Sequence, residues 1–179
     1  MITSKNNIVF IGGIHGVGKS TICNSICNAL KISYLSASDV LKWSKLNSDV
    51  KNKKVEDISL TQNLLINGLN EHVQKDCKYI LDGHYCLLNK DGHVERIPIE
   101  TFQKINPNAL SVIIAGVTEI KNHLESRDNR AYDFDLLNEM QETEIQYAKD
   151  ISSLLRRPLF IAQKDEITEL INFIKSTTL

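Results

Sequence analysis

The stretch Gly13-Ile14-His15-Gly16-Val17-Gly18-Lys19-Ser20, with Thr21 behind it, constrains this chain more than any other. Its spacing is that of a P-loop, G-x-x-x-x-G-K-[ST]. Just before it, Ile8-Val9-Phe10-Ile11 is a short apolar run rich in β-branched residues, as a buried parallel strand would be. Just after it, Ile22, Ile26 and Leu30 recur four apart, as on one face of a helix. A loop between a strand and a helix is the setting the motif requires, which a chance glycine-rich turn would not supply.

The residue types follow from what such a loop does. Glycines let the backbone take positive φ and curl around a phosphate with no Cβ in the way. The inward N–H groups then form an anion nest at the positive end of a helix dipole. On this reading Gly13, His15, Gly16, Val17, Gly18, Lys19, Ser20 and Thr21 bind the phosphates. Lys19 reaches the β- and γ-phosphates, and the Ser20 hydroxyl ligates Mg²⁺.

Length and charge narrow the classes. The 179 residues suit one domain, read as residues 1–179, with chain enough for a sizeable core. A net charge of −1 gives no electrostatic footprint for nucleic acid or an anionic membrane. No apolar run is long enough to cross a bilayer. The stretch Met1 to Asn7 has no signal-peptide pattern, so a cytoplasmic protein is expected. Four cysteines occur, at 23, 27, 77 and 86. Cys23 and Cys27 stand four apart on a helix, as a metal pair could, but no Cys-x-x-Cys or His pair accompanies them. They read as buried structural thiols.

Along the chain, strands and helices alternate. A helix from about Lys19 to Leu30 is followed by a strand over Ile32-Ser33-Tyr34-Leu35 and a helical start at Val40, Leu41 and Trp43. Asn47 to Lys54 is polar and reads as a loop. Ile58 to Lys75 is helical, with Ser59 and Gln62 spaced as a capping box. Tyr79-Ile80-Leu81-Asp82 is a third strand ending in an acid, and Asn89-Lys90-Asp91-Gly92 is a turn. Pro98 opens a short helix closed near Asn106-Pro107. Leu110 to Ala115 is a fourth strand, and Ile120 and Leu124 mark the helix behind it. Leu137, Met140, Tyr147, Ile151 and Leu154 define a long helix, Pro158 to Ala162 a fifth strand, and Ile167 to Ile174 a last helix. The expectation is a three-layer α/β P-loop NTPase fold, a five-stranded parallel sheet with helices on both faces. Ligands of such sheets bind at the carboxyl ends of strands.

Three features bear on the chemistry. Asp82 ends an apolar strand, where an acid supports Mg²⁺ in P-loop enzymes; its plainer role is to cap the next turn. The residue after it is Gly83, so the second carboxylate that hydrolytic ATPases use to orient water is missing. The guanine-reading N-K-x-D motif is also missing, for Asn89-Lys90-Asp91 has its acid one residue early. Finally, arginine is scarce, yet Arg127 and Arg130 fall in one short charged segment with Asp128 and Asp133. Phosphoryl transfer needs positive charge around the moving group, which suits a lid. A solvated loop of paired charges is the alternative.

Taken together, the chain resembles the P-loop nucleoside monophosphate kinases, most closely the archaeal-type adenylate kinases. The resemblance rests on Gly13 to Thr21, Ser-Asp-Val-Leu-Lys at 38–42, Leu-Asp-Gly-His at 81–84, Lys90 and Gly92 ahead of Pro98, and Arg127 to Asp133 before a long helix. It implies an acceptor-binding flap at about 36–76 and a short lid at about 126–135. It places Asp39 at the acceptor site, Asp82 near Mg²⁺, and Arg127 and Arg130 with Lys19 in catalysis. His84 faces either the acceptor pocket or its own loop. The family's arginine after the strand-two acid is replaced here by Lys42, three residues past Asp39. Lysine is a point charge without the bidentate fork. The implied function is transfer of the ATP γ-phosphoryl group to a nucleoside monophosphate, AMP first. Kinase action on another small metabolite and an ATP-binding switch remain as alternatives.

Overall fold

The computed structural model describes residues 7–47 and 58–178. The expected polar loop therefore falls almost wholly outside the described residues, apart from Asn47, which closes a helix.

The P-loop strand β1 (Ile8–Gly12) is buried at every residue. Helix α1 (Lys19–Leu30) follows and buries Ile22, Cys23, Ile26 and Cys27. It stops where Lys31 turns left-handed (φ 54) and its N–H returns to the Cys27 carbonyl. Next come β2 (Ser33–Ser36), α2 (Ala37–Asn47), α3 (Ile58–His72) and β3 (Tyr79–Asp82). A hairpin of β4 (Cys86–Leu88) and β5 (Val94–Arg96) leads to α4 (Ile99–Ile105). The chain ends with β6 (Ala109–Ile114), α5 (Val117–Asp128), α6 (Phe134–Leu155), β7 (Leu159–Gln163) and α7 (Ile167–Thr178).

The main sheet has the order β2-β3-β1-β6-β7, all parallel. Period-two alternation sends β1 side chains to both faces. Val9 and Ile11 pack with Ile22, Ile26 and Ile174 on one side. Ile8 and Phe10 pack with Leu65, Phe102 and Tyr147 on the other. Helices thus cover both faces, and the three-layer P-loop architecture is present.

Register then fixes the site. Ile11 of β1 and Ser36 of β2 both pair with Asp82, so three strands end level at one carboxyl edge. One expectation needs correcting. Helix α3 ends at His72 rather than Lys75, because the chain turns there and the Gln74 N–H is taken by the Tyr79 hydroxyl at 3.1 Å. The expected capping box at Ser59 and Gln62 falls in the first turn of α3, where the Ser59 side chain lies outside what the structure describes. Asn89 to Gly92 does form a turn, in which Asn89 Oδ1 accepts the N–H groups of Asp91 and His93 at 3.0 Å each. Among the described residues, no helix is long and apolar enough to cross a membrane.

Candidate active site

The loop after β1 carries positive φ at Gly13, Gly16 and Gly18. Gly16 has a second reason to lack a side chain: a Cβ there would lie 2.5 Å from Leu124 Cγ. Ile14 and Val17 are buried beneath the loop, and a His123 ring nitrogen meets the Gly16 carbonyl at 2.8 Å. Helix α1 opens from Gly18 with no side-chain cap and no acid in its first turn. Its leading amides therefore keep the character of an anion site.

Lys19 and Asp82 meet over this loop. Lys19 Nζ is 2.6 Å from Asp82 Oδ1, with side-chain exposures of 9% and 6%. The other carboxylate oxygen accepts the Ser20 hydroxyl at 3.0 Å and the Tyr34 hydroxyl at 2.9 Å. Burial pushes the Tyr34 phenol up, so it stays a donor. Tyr34 was not legible as a site residue, since a tyrosine in a short strand reads simply as core.

Ser20 Oγ and the Asp82 carboxylate are hard oxygen donors converging beside the anion site. That donor set fits Mg²⁺, which takes one or two protein ligands and completes its shell from phosphates and water. Among the described residues no group of three His, Cys, Asp or Glu could hold a metal by itself. Cys23 and Cys27 are both buried in the core, and in the absence of a metal burial raises Cys27 to about 11 and Cys23 further, as for packed structural thiols. Cys23, Cys27, Cys77 and Cys86 are all unpaired.

Packing explains why no acid follows Asp82. A Cβ at Gly83 would stand 2.8 Å from the Phe10 ring, so side chains are excluded there. Next to it, the rings of His84 and His15 are 4.4 Å apart. Burial lowers both imidazoles, with Lys19 adding to the effect, so they are neutral near pH 7.

Among the described residues, cavities open on several sides of the loop. One of about 350 Å³ lies on its α1 side, lined by Gly18, Thr21, Ile120 and Lys164. A second, of about 210 Å³, lies toward α2 and α3, lined by Phe10, Leu41, Gln62, His84, Thr101 and Phe102. A third, of about 460 Å³, lies toward the α5–α6 connection, lined by Ile14, Arg127, Arg130, Tyr132 and Met140. His15 and Leu87 line both the second and the third.

The structure thus brings together the P-loop, Asp82 and His84, and sets Arg127 and Arg130 on a cavity that reaches the loop. Both arginines are engaged there. Arg127 binds Asp128 through two N–H groups at 2.6 and 2.8 Å, and holds that carboxyl well below its usual range. Arg130 donates to the Tyr132 hydroxyl at 3.0 and 2.8 Å and lies over its ring. Asp39 and Lys42 are not brought in. They pair with each other at 3.3 Å on the exposed face of α2, while Ser38 and Leu41 face the cavity.

Glu144 was not among the residues expected at the site. This residue of α6 is 0% exposed, and its carboxylate accepts N–H groups from Gly13, Tyr85 and Cys86.

A family described as the AAA domain (AAA_17) matches residues 12–141, from the end of β1 into α6. The chain belongs to this family. It is also similar to a UMP-CMP kinase of Danio rerio, 29% identical over 92 residues, which cover 44% of this chain and 47% of the relative. The chain thus spans about half the length of that curated relative. Among solved structures, a gluconokinase from Sinorhizobium meliloti 1021 superposes with a TM-score of 0.55 at 11% identity, over 97% of this chain and 91% of that one. An uncharacterized protein from Eubacterium ventriosum ATCC 27560 gives 0.54 at 12% identity, over 97% and 98%. At such identities the structures speak for the fold alone. The family level carried by these likenesses is that of P-loop, kinase-like proteins. The narrower likeness to archaeal-type adenylate kinases rests on the motif residues only.

Proposed function

We propose that this chain is an ATP-dependent phosphotransferase acting on a small molecule, with a nucleoside monophosphate, AMP first, as acceptor. The observation that carries the reading is the placing of His15. This P-loop residue stands between the cavity on the α2–α3 side and the arginine-lined cavity. An acceptor in the first meets a phosphoryl group presented at the loop, under cations arriving from the second.

The chain's own groups supply most of what transfer needs. P-loop amides and Lys19 would hold the phosphates; Ser20 and Asp82 would hold Mg²⁺, which would supply neutralising charge to the phosphates. Arg127 and Arg130 exchange Asp128 and Tyr132 for the charge that develops in transfer. Phe10, Leu41 and Phe102 offer apolar surface to a planar base. No carboxylate orients water at Gly83, which favours the acceptor over hydrolysis. Catalysis is positioning and charge stabilisation, without a covalent intermediate. We read residues about 36–76 as the acceptor flap and about 126–135 as the lid of a single cytoplasmic domain, with no nucleic-acid or membrane partner.

A second reading, a kinase of an uncharged hydroxyl compound, is favoured by one observation. Among the described residues no Lys or Arg lines the acceptor-side cavity. The test is ADP release from ATP and Mg²⁺ with each nucleoside monophosphate, each nucleoside, simple hydroxyl metabolites and no acceptor. Turnover with AMP supports the first reading, and turnover only with an unphosphorylated compound supports the second. ATP binding without any acceptor-dependent turnover overturns both in favour of a nucleotide switch.

A further inference from the structure

We propose that Glu144 is a positioning residue for phosphoryl transfer, fixing the spacing between the two walls of the gap that an acceptor and the transferred group share. The proposal rests on the phosphotransferase reading.

Glu144 ties two loops through one carboxylate. Oε2 accepts the Gly13 N–H at 2.9 Å, and Oε1 accepts those of Tyr85 and Cys86 at 2.7 and 2.9 Å. Gly13 belongs to the P-loop, and Tyr85 and Cys86 to the chain leaving β3. No lysine or arginine forms an ion pair with this carboxylate among the described residues. Burying an ionisable group without such a partner is costly, and main-chain amides offset that only while all of them stay in place. Spanning the two loops is a task that an apolar residue of similar size could not perform.

The amides it holds adjoin the residues that line both cavities. His15 is two residues beyond Gly13, and Leu87 directly follows Cys86. His15 and Leu87 are the side chains common to the acceptor-side and arginine-lined cavities. There is little slack around the clamp: a Cβ at Gly12 would lie 2.9 Å from Glu144 Oε2 and 2.3 Å from the Tyr85 ring. The same helix carries Leu137 and Met140 into the arginine-lined cavity, and the Cys86 thiol donates to the Met140 carbonyl at 3.5 Å. A displacement of about 1 Å between reacting groups can cost on the order of 10²-fold in rate.

Protonation acts on the clamp. Burial raises the Glu144 carboxyl to about 7, against its N–H bonds and Lys19. The groups facing it are His84, whose Nδ1 is 3.9 Å from Oε1, with Tyr85, Cys86 and Lys19. A protonated acid has less acceptor capacity, so the clamp is complete only above that pH.

The test compares wild type with Glu144→Gln and Glu144→Asp. Steady-state kinetics use the acceptor found by the panel above. Hydrogen exchange follows the peptides containing Gly13 and Tyr85–Cys86 and needs no turnover. A glutamine turns an N–H donor toward one of the loops, so kcat should fall on the order of 10²-fold while both KM values stay within about threefold. The rise of kcat with pH through about 7 should flatten in the Gln variant and persist in Asp. Exchange should quicken at both loop segments and stay unchanged in α7. Wild-type kcat in the Gln variant, unchanged exchange at either loop, or exchange raised equally along the whole chain overturns the proposal. If Gln does not fold, the Asp variant decides by the same kcat and exchange readings. Clamped loops in a wild type that shows no acceptor-dependent turnover would overturn the phosphotransferase reading instead, and with it the positioning role in transfer.

Discussion

The Lys19 ammonium and the Asp82 carboxylate form a shielded ion pair 2.6 Å apart, at the point where the P-loop passes over the end of β3. The P-loop lysine is therefore part of the packed structure as well as of the proposed phosphate site. Removing one partner of a shielded pair leaves the other uncompensated. Lys19→Ala should lower stability by on the order of 3 kcal/mol in denaturant unfolding and abolish most of the ATP-induced rise in Tm. Lys19→Ala combined with Asp82→Asn should recover part of the stability but none of the ATP response. A single variant as stable as wild type would contradict the pairing.

For the lid, the expectation is a kcat defect with ATP affinity retained. Arg127 and Arg130 bind Asp128 and Tyr132 in this structure, so under the proposed function their task would begin when charge develops in transfer. Arg127→Ala and Arg130→Ala should each lower kcat roughly 10³-fold, with ATP affinity changed little. Asp128→Asn should loosen Arg127 and leave ATP affinity equally unaltered. Single-turnover kinetics beside equilibrium binding separate these effects. Two arginine variants with wild-type turnover would reduce the segment to a charged loop.

How far the sequence reached depends on what each residue reports. The strands of the main sheet were legible because five apolar runs stand in alternation with helical periodicity. The β4–β5 hairpin was not, because three residues per strand are too few to show a period, though its Asn89–Gly92 turn was visible. The meeting of the P-loop with Asp82 was legible because the motif follows one apolar strand and the acid ends another, so both come to the same sheet edge. Tyr34 was hidden because its hydroxyl acts across strands, through the pairing of β2 with β3. Glu144 did leave a trace. It occupies the apolar stripe of Leu137, Met140, Tyr147 and Ile151, three residues before one member and four after another. An acid at such a position has to find partners inside the protein, and tertiary contacts alone reveal which.

Stability should carry the imprint of Glu144 as well. Its folded pKa of about 7 lies above the ordinary carboxylate value, so between them the folded state binds more protons than the unfolded one. The stabilising contribution is present below the unfolded pKa, near 4.5, and is lost as pH rises through about 7. The Tm difference between wild type and Glu144→Gln should therefore move against the wild type across that window. A difference independent of pH from 4.5 to 8 would show that Glu144 does not titrate there.

The acceptor is where the fold and the resemblance pull apart, and Lys42 decides between them. It sits next to Leu41, which lines the cavity, yet its own side chain pairs with Asp39 in solvent. An exposed pair of this kind is worth about 0–1 kcal/mol, so Lys42 can leave it at little cost. A substrate phosphate dianion would provide the reason to turn inward, whereas an uncharged acceptor would not. With AMP as acceptor, Lys42→Ala should raise the acceptor KM on the order of tenfold, leaving Tm and ATP binding unchanged. Asp39→Ala frees the lysine and should lower the same KM or leave it alone. If neither substitution alters KM for AMP, the α2 pair is surface decoration, and the cavity walls, free of Lys and Arg among the described residues, point to a neutral hydroxyl acceptor.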